Sequence, residues 1–205
     1  MKTNLDFSKK LSREFYLQDT LTVARKLLGK IFVRILNGNI LAGEIIETEA
    51  YIAGEDESAH SSRGKTKRNA TMFEQGGVLY VYFTYGMYFC SNVVTGKEGQ
   101  GDAVLLRSIE PLEGIEIFAQ NRFGKKEITE KEKKNLLSGP GKICMAYDLT
   151  RNEDGTDLTG EKIFILDAPE IPDEKIVQTT RIGISKSKDL PWRFYEKDNP
   201  YVSKK

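Results

Sequence analysis

The chain has 205 residues, a formal net charge of +1, one histidine and two cysteines. This length predicts one domain over residues 1–205, with a core large enough to fold without disulfide bonds. The cysteines, Cys90 and Cys144, lie too far apart for a zinc ribbon, and the single histidine, His60, excludes metal sites that need two histidine ligands.

The first third of the chain predicts a helix followed by a β-hairpin. A polar N-cap and a glycine stop bracket the apolar pattern of the helix. Two apolar runs then flank Asn37-Gly38, a pair that favours the type I′ turn of a hairpin. In chain order, the expected elements are a peripheral segment over residues 1–15, a helix between Asp19 and Gly29, and strands over Ile31–Leu36 and Ile40–Glu47.

The rest of the chain predicts further strands with helices between them. Tyr85-Gly86 marks the turn of a second hairpin, and the stretch from Pro111 to Asp148 is typical of helices. Because the strands come mainly as hairpins, we expect an α+β fold: a single domain with a mainly antiparallel, curved β-sheet flanked by α-helices. The expected strands are Gly77–Phe83, Met87–Val94, Asp102–Ser108, Lys162–Leu166, Arg181–Ser185 and Trp192–Glu196.

Two features bear on where the protein works. The N-terminal sequence lacks the apolar core and cleavage site of a secretory signal, so we expect a cytoplasmic protein, nucleoid-associated if bacterial, and not secreted. The uncharged stretch from Gly77 to Gly96 is long enough to span a bilayer, but its glycines and its aromatic and β-branched residues favour buried strands. No membrane partner is expected.

Two carboxylates follow an apolar strand. Glu47, Glu49 and Tyr51 share a parity, so an extended chain points them to one face of the sheet. A carboxylate near the core costs desolvation free energy unless it is paired or used. Two interpretations stay open at this point: a general base with a tuned pKa, and a buried ion pair with an arginine.

The lone histidine lies between acidic and basic residues. Asp56, Glu57 and His60 are candidate metal ligands, but their spacing matches no strong ligand signature, and no metal is expected. A nucleophile pair of Cys90 with His60 is a second alternative, which the place of Cys90 in an aromatic strand disfavours. The basic side chains that follow, candidates for binding phosphates, are Arg63, Lys65, Lys67 and Arg68.

The aromatic segment LYVYFTYGMYF is the most informative part of the chain. Val81 and Phe83 fall on the predicted core face of its strand. Tyr80 and Tyr82 face the other side, where tyrosines suit a planar ligand or a nucleobase. Tyr85 falls at the turn, where a bulky side chain is exposed and can act as a wedge between bases.

Long ordered blocks of the chain resemble a known family, the alkyladenine (3-methyladenine or methylpurine) DNA glycosylases. The first block is GEIIETEAYIAGEDESAHSSRGKTKRNATMFEQGGVLYVYFTYGMYFCSNVV, followed by AVLLRSIEPLEG. SGPGKICMAYDL, RIGI and PWRFYEKDNPYVS are similar to later blocks of the same family. The resemblance covers Leu17 to Ser203, except the run Glu127–Asn135.

The resemblance implies a monofunctional DNA glycosylase, which initiates base excision repair by cutting the N-glycosidic bond of a damaged purine. The substrates it implies are 3-methyladenine, 7-methylguanine, hypoxanthine and ethenoadenine in double-stranded DNA. It implies that water attacks the sugar, that no metal or other cofactor is needed, and that the protein acts as a monomer.

The resemblance also assigns roles in the hydrolysis. Glu49 matches the carboxylate that takes a proton from water and stabilises an oxocarbenium-like sugar. Arg107 matches an arginine that helps to hold the water and contacts the target nucleotide. The main-chain carbonyl of Ile182 matches another acceptor for the water.

Further matches concern the recognition of the flipped nucleotide. Tyr85 matches the tyrosine that fills the gap left in the duplex, because a base must leave the stack before chemistry can reach it. Tyr51, His60 and Tyr82 match an aromatic clamp around the base. Asn92 matches the residue that conflicts with the exocyclic amino group of guanine, which penalises an undamaged base.

Two other classes of protein remain as alternatives. A non-catalytic nucleic-acid-binding module on the same scaffold predicts salt-dependent binding to duplexes without base release. A hydrolase of small nucleosides or glycosides predicts turnover of free nucleosides, and it gives Tyr85 no purpose.

Overall fold

The computed structural model describes residues 5–204, and a nine-stranded antiparallel sheet lies at its centre. The expected α+β class with a mainly antiparallel sheet is confirmed. Along the sheet, the strand order is β6-β3-β4-β5-β2-β1-β7, and β8 and β9 join it through β2. The strands are β1 Ile31–Leu36, β2 Asn39–Tyr51, β3 Val78–Thr84, β4 Tyr88–Thr95, β5 Asp102–Glu113, β6 Thr156–Asp157, β7 Ile163–Leu166, β8 Ile176–Thr179 and β9 Arg193–Glu196.

Short helices pack against the sheet and enclose the main core. The second of them begins at the predicted N-cap, where the Asp19 carboxylate accepts a hydrogen bond from the N–H of Thr22 at 3.0 Å. Tyr147, directly after the last helix, is fully buried, and its ring lies 4.6 Å from Phe118 and 5.1 Å from Phe32. The helices are α1 Arg13–Tyr16, α2 Thr20–Lys26, α3 Ile115–Phe123, α4 Glu130–Asn135 and α5 Pro140–Ala146.

The central strand β2 is bent, and its two halves have different neighbours. Residues 39–44 pair with β1, whereas Glu47 and Glu49 lie opposite Tyr195 and Arg193 of β9. Along the other edge, β5 pairs with β2, with register shifts on both sides of Glu47. Such bulges bend a strand and re-aim its side chains. Thus β2 carries both carboxylates out of the β1–β2 hairpin and into a different part of the sheet.

Both predicted hairpins are present. Asn37 and Gly38 have φ angles of 50° and 77°, the left-handed pair that a type I′ turn requires. In the β3–β4 turn, Tyr85 and Gly86 have φ angles of 51° and 67°. A bulky residue in this region is uncommon and indicates a constrained turn.

The aromatic strand β3 differs from its prediction at two positions. Val81 is buried as predicted, but Phe83 is 39% exposed because β3 runs past the edge of the core towards the turn. Tyr80, expected on the face away from the core, is also buried, in a smaller cluster with Met72 and Val94. Both faces of β3 are therefore covered near its start and open near its end.

The segment Arg181–Ser185 is not a strand, so that prediction is wrong. Within residues 5–204, the strand nearest to it is β8, which pairs with β9 and ends at Thr179. Arg181 instead turns into the protein, where its guanidinium binds the Asp56 carboxylate and donates to the Ala50 carbonyl at 2.9 Å. This buried ion pair fixes the loop after β8 against the end of β2.

The N-terminal segment meets the sheet at β7. The N–H of Leu11 donates to the Ile165 carbonyl at 2.8 Å, and the Leu11 side chain is buried. Residues 1–4 of the expected peripheral segment lie outside the described residues. Among the helices between residues 5 and 204, no apolar one reaches the length needed to cross a membrane.

Candidate active site

A cavity of about 320 Å³ opens between the β3–β4 hairpin, β5 and the loop after β8. Known small-ligand sites span about 300–1,000 Å³, so this volume fits one small planar group. The sequence-predicted residues that line it are Tyr51, His60, Tyr82, Tyr85, Asn92, Arg107 and Ile182.

Glu49 lies beneath this lining and is fully buried. Its Oε1 accepts the Ile182 N–H at 2.8 Å and lies 3.4 Å from the Arg107 Nε. Its Oε2 accepts the Tyr51 hydroxyl at 2.9 Å. Burial raises the pKa of the Glu49 carboxyl above its usual value, and these three donors offset only part of that rise. The result is a carboxylate of increased basicity held in one orientation.

Glu47 is also fully buried, but it faces a different set of partners. Its Oε1 lies 2.6 Å from the Arg193 Nε and 3.2 Å from the Arg107 Nε. Its Oε2 accepts the N–H of Ser203 at 2.8 Å. Glu47 thus forms the buried ion pair that one interpretation of ETEAY predicts, and Glu49, the candidate general base of the other interpretation, lies behind the cavity.

Arg181 supports one side of the cavity from below. Its guanidinium carbon lies 4.6 Å from the centre of the Tyr51 ring and 5.2 Å from that of Trp192. Because Ile182 follows it directly, the ion pair of Arg181 with Asp56 also holds the backbone N–H that reaches Glu49. Both oxygens of Asp56 therefore accept from Arg181, which does not fit the alternative in which Asp56 is a metal ligand.

Three aromatic rings form another wall. The His60 ring lies 4.4 Å from the Tyr82 ring at an angle of 80°, and Tyr80 stacks on Tyr82 at 5.4 Å. The His60 Nδ1 is 3.2 Å from the Tyr80 hydroxyl, while its Nε2 has no hydrogen-bond partner within residues 5–204. Part of the His60 side chain is exposed, but partial desolvation and the positive charge of Arg68 lower the pKa of His60, which favours a neutral imidazole.

Asn92 and Cys90 complete the side of the cavity formed by β4. Asn92 is buried, and its Nδ2 donates to the Tyr80 carbonyl at 3.3 Å. Cys90 is a buried free thiol whose pKa is raised by desolvation. A thiol with a raised pKa is a poor nucleophile, so the Cys90–His60 alternative gains no support.

The rim of the cavity carries exposed aromatic residues. Tyr85 is 82% exposed at the tip of the β3–β4 hairpin, and Met87 and Tyr88 beside it are exposed as well. The basic loop lies next to this tip, because the Arg68 Nη2 donates to the Phe83 carbonyl at 3.1 Å. The other three basic candidates, which are all exposed, are Arg63, Lys65 and Lys67.

Comparison with known proteins identifies the family. A sequence model of the methylpurine-DNA glycosylases matches residues 14–200. A curated relative from Carboxydothermus hydrogenoformans, named "Putative 3-methyladenine DNA glycosylase", is 50% identical over 95% of this chain and 99% of its own. The chain belongs to the methylpurine-DNA glycosylase family. A relative of the same name from Clostridium novyi is 47% identical over 96% of this methylpurine-DNA glycosylase and 100% of its own chain. Another, from Chlorobium luteolum, is 46% identical over 95% of this protein and 97% of its own chain.

As a methylpurine-DNA glycosylase, the protein is a hydrolase of N-glycosyl bonds that acts on DNA. Sequence reasoning missed part of the frame of its cavity. Arg181 and Asp56 are 125 residues apart, and Arg193 and Glu47 are 146 apart. No spacing in the sequence links either pair. The available signal was the presence of arginines in RIGI and PWRFY, which is too weak to pair them with particular carboxylates.

Proposed function

We propose that this methylpurine-DNA glycosylase removes damaged purines from double-stranded DNA and so initiates base excision repair. The observation that carries this proposal is the position of Tyr85. An exposed aromatic side chain in a constrained turn borders a cavity behind which a buried carboxylate, Glu49, lies. A binding module needs the first of these features but has no use for the second.

Tyr85 has the properties of a wedge that replaces a flipped nucleotide. A base inside a duplex is out of reach, and extruding it costs about a few kcal/mol. Stacking of an aromatic ring on a base contributes about 1–3 kcal/mol, which offsets much of that cost. Because Tyr85 is 82% exposed, its ring is available to stack in the gap.

The aromatic walls are suited to the extruded base. Tyr51 and Tyr82 offer electron-rich rings, on which a cationic alkylated purine stacks better than a neutral one. The free Nε2 of a neutral His60 offers a hydrogen bond to the edge of the base. The Asn92 amide is held by Tyr80, so it opposes the exocyclic amino group of guanine instead of moving aside.

The proposed hydrolysis uses Glu49 as the base. A water held near Arg107 and the Ile182 carbonyl gives its proton to Glu49 as its oxygen bonds to the sugar C1′. The N-glycosidic bond breaks with its electron pair on the purine. A cationic alkylated purine then leaves as a neutral base, whereas hypoxanthine or ethenoadenine takes up a proton from solvent as it leaves, so the products are an abasic site and a free base. The negative charge of Glu49 also stabilises the oxocarbenium-like transition state.

Basic side chains next to the cavity are suited to contact the DNA around the lesion. The exposed basic loop beside the wedge supplies phosphate ligands, which position a duplex without reading its sequence: Arg63, Lys65, Lys67 and Arg68. The lesions proposed are 3-methyladenine, 7-methylguanine, hypoxanthine and ethenoadenine. One chain carries the whole cavity, so we propose that the protein acts as a monomer, at the chromosomal DNA, which in a bacterium is the nucleoid.

The test is base release from duplexes that each carry one of these lesions, followed by alkali to break the strand at abasic sites. Glu49→Gln removes the base but keeps the shape, so single-turnover excision should fall by about 10²–10⁴-fold while DNA binding persists. Glu44→Gln, on the same strand but outside the cavity, is the matched control and should stay active. Binding without release of any lesion by the unaltered protein would favour the non-catalytic alternative.

A further inference from the structure

Two arginines and two glutamates alternate in a continuous, largely buried row, which reaches the cavity lining at Arg107. In order, these side chains are Arg193, Glu47, Arg107 and Glu49. Both glutamate side chains are fully buried, and the arginine side chains are only 6% and 12% exposed. Burial of four charges is costly, and this row compensates for it by giving each charge a neighbour of opposite sign.

The Arg107 Nε is shared between the two carboxylates. It lies 3.2 Å from Glu47 and 3.4 Å from Glu49, yet it is aligned for a hydrogen bond with neither. An arginine that had only one buried carboxylate beside it would turn to form the aligned, stronger bond. The attraction of Arg107 to Glu49 therefore depends on the competing attraction of Glu47.

Glu47 is held by groups that do not touch the cavity. Arg193 reaches it from β9, and the N–H of Ser203 donates to its second oxygen at 2.8 Å. Arg193 is in turn bound by the Lys204 carbonyl. Residues 203–204, which do not line the cavity, thus help to determine where the charge of Glu47 lies.

We propose that Glu47 is a positioning residue, which holds Arg107 at a point shared with Glu49, and that residues 203–204 complete this arrangement. The inference rests on the proposed function of Glu49. Glu47 touches neither the cavity nor the reacting atoms, so it acts only through Arg107.

The electrostatic consequence has a definite sign. The charged or titratable groups that face Glu47 are Arg107, Arg193 and Glu49, and those that face Glu49 are Arg107, Tyr51 and Glu47. The negative charge of Glu47 raises the pKa of Glu49, both directly and by withholding part of Arg107. Glu47 thereby keeps Glu49 a stronger base than a lone Arg107–Glu49 pair would allow.

The principal test is the pH profile of single-turnover excision by Glu47→Gln. Without the negative charge of Glu47, Arg107 should move closer to Glu49. The acidic limb of the profile, which is the fall in rate at low pH as Glu49 is protonated, should then shift to lower pH by about one unit. The plateau rate should fall by about 10–100-fold because Arg107 and Glu49 are misplaced, while DNA binding stays unchanged. Glu47→Asp keeps the charge but shortens its reach, so it should lower the plateau with a smaller shift of the limb.

A second pair of variants tests residues 203–204 and leaves all four charged side chains of the row in place. Ser203→Pro removes the N–H that binds Glu47, so the still ionised Glu47 draws more strongly on Arg107. The acidic limb should then shift to higher pH, opposite to Glu47→Gln. Ser203→Ala keeps the N–H, so the acidic limb of its pH profile should shift less from that of the unaltered protein than the acidic limb of Ser203→Pro does.

A readout besides activity separates this inference from the proposed function. Carbon-13 NMR titration of the Glu49 carboxyl follows the same shifts without any substrate. Folded variants in which neither the titration of Glu49 nor the excision limb moves would overturn the role of Glu47, even if Glu49→Gln is inactive. Loss of the proposed function would instead appear as no excision by the unaltered protein, with the NMR shifts still present.

Discussion

The floor and the rim of the cavity are built in opposite ways. At the floor, which is the buried layer beneath the cavity lining, Glu47 and Glu49 lie on a central strand, and every carboxylate oxygen has a fixed donor or an arginine nearby. At the rim, Tyr85 is exposed on a hairpin turn and the basic side chains are exposed on the loop beside it. The groups proposed for bond cleavage are therefore placed by packing, whereas those proposed for DNA contact are exposed, where a partner can reach them.

The largest expected effect comes from breaking an ion pair beneath the floor. Asp56→Ala leaves the buried Arg181 without its carboxylate, which should cost about 3–5 kcal/mol of unfolding free energy in urea titrations. Glu57→Ala is the matched control, because the adjacent Glu57 makes an exposed pair with Lys186 at 2.8 Å. That change should cost much less unfolding free energy, because solvent screens an exposed ion pair. Equal losses for the two variants would contradict the assignment of the frame to Asp56.

A smaller effect, of a different kind, is expected at the rim. Tyr85→Ser should leave the unfolding free energy unchanged, because the side chain is 82% exposed. It should reduce the ratio kcat/KM on lesion-bearing duplexes by about 10–100-fold, since the stacking of one base contributes about 1–3 kcal/mol. On single-stranded DNA carrying the same lesion the loss should shrink, and an equal loss there would argue against a wedge.

The pH dependence joins the chemistry to the stability of the floor. Burial raises the pKa of Glu49 above 4.5, so excision, which needs the ionised form, should fall about tenfold per pH unit below that raised pKa. Stability has the opposite sign: the contribution of Glu49 is fully present below about pH 4.5 and is lost as the pH rises through the folded-state pKa. Glu49→Gln should remove this part of the pH dependence in urea unfolding, and an unaltered dependence would contradict the raised pKa.

The smallest expected effect concerns the basic loop. The double variant Lys65→Ala, Lys67→Ala should weaken binding equally for damaged and undamaged duplexes, and it should reduce the slope of log K against log salt by about 1 per lysine. Lys162→Ala, next to β7 at the other end of the sheet, serves as the control and should not alter the slope. A loss confined to damaged duplexes would place these lysines in lesion recognition instead.

Local patterns determined much of the fold. The Asp19 cap, the Asn37-Gly38 turn and the alternating apolar strands depend on neighbouring residues, and all were predicted. The errors fall where distant packing decides the outcome. RIGI has the apolar alternation of a strand, but Arg181 pairs with Asp56 and pulls the segment out of the sheet. The two-residue period of β3 places Phe83 on the same face as the buried Val81, but the strand extends beyond the core at this point, so Phe83 is exposed.

For the candidate site, local sequence patterns were enough to predict which residues share one face of a strand and that Tyr85 lies at an exposed turn. Those facts follow from the two-residue period of a strand and from the backbone angles that a glycine-containing turn permits. The different partners of Glu47 and Glu49 could not be predicted in this way, because they depend on the three-dimensional fold. A bend in β2 brings β5, β9 and residues 203–204 around Glu47, and it leaves Glu49 behind the cavity. The pairing of buried charges depends on contacts between residues far apart in the chain, and no local pattern records them.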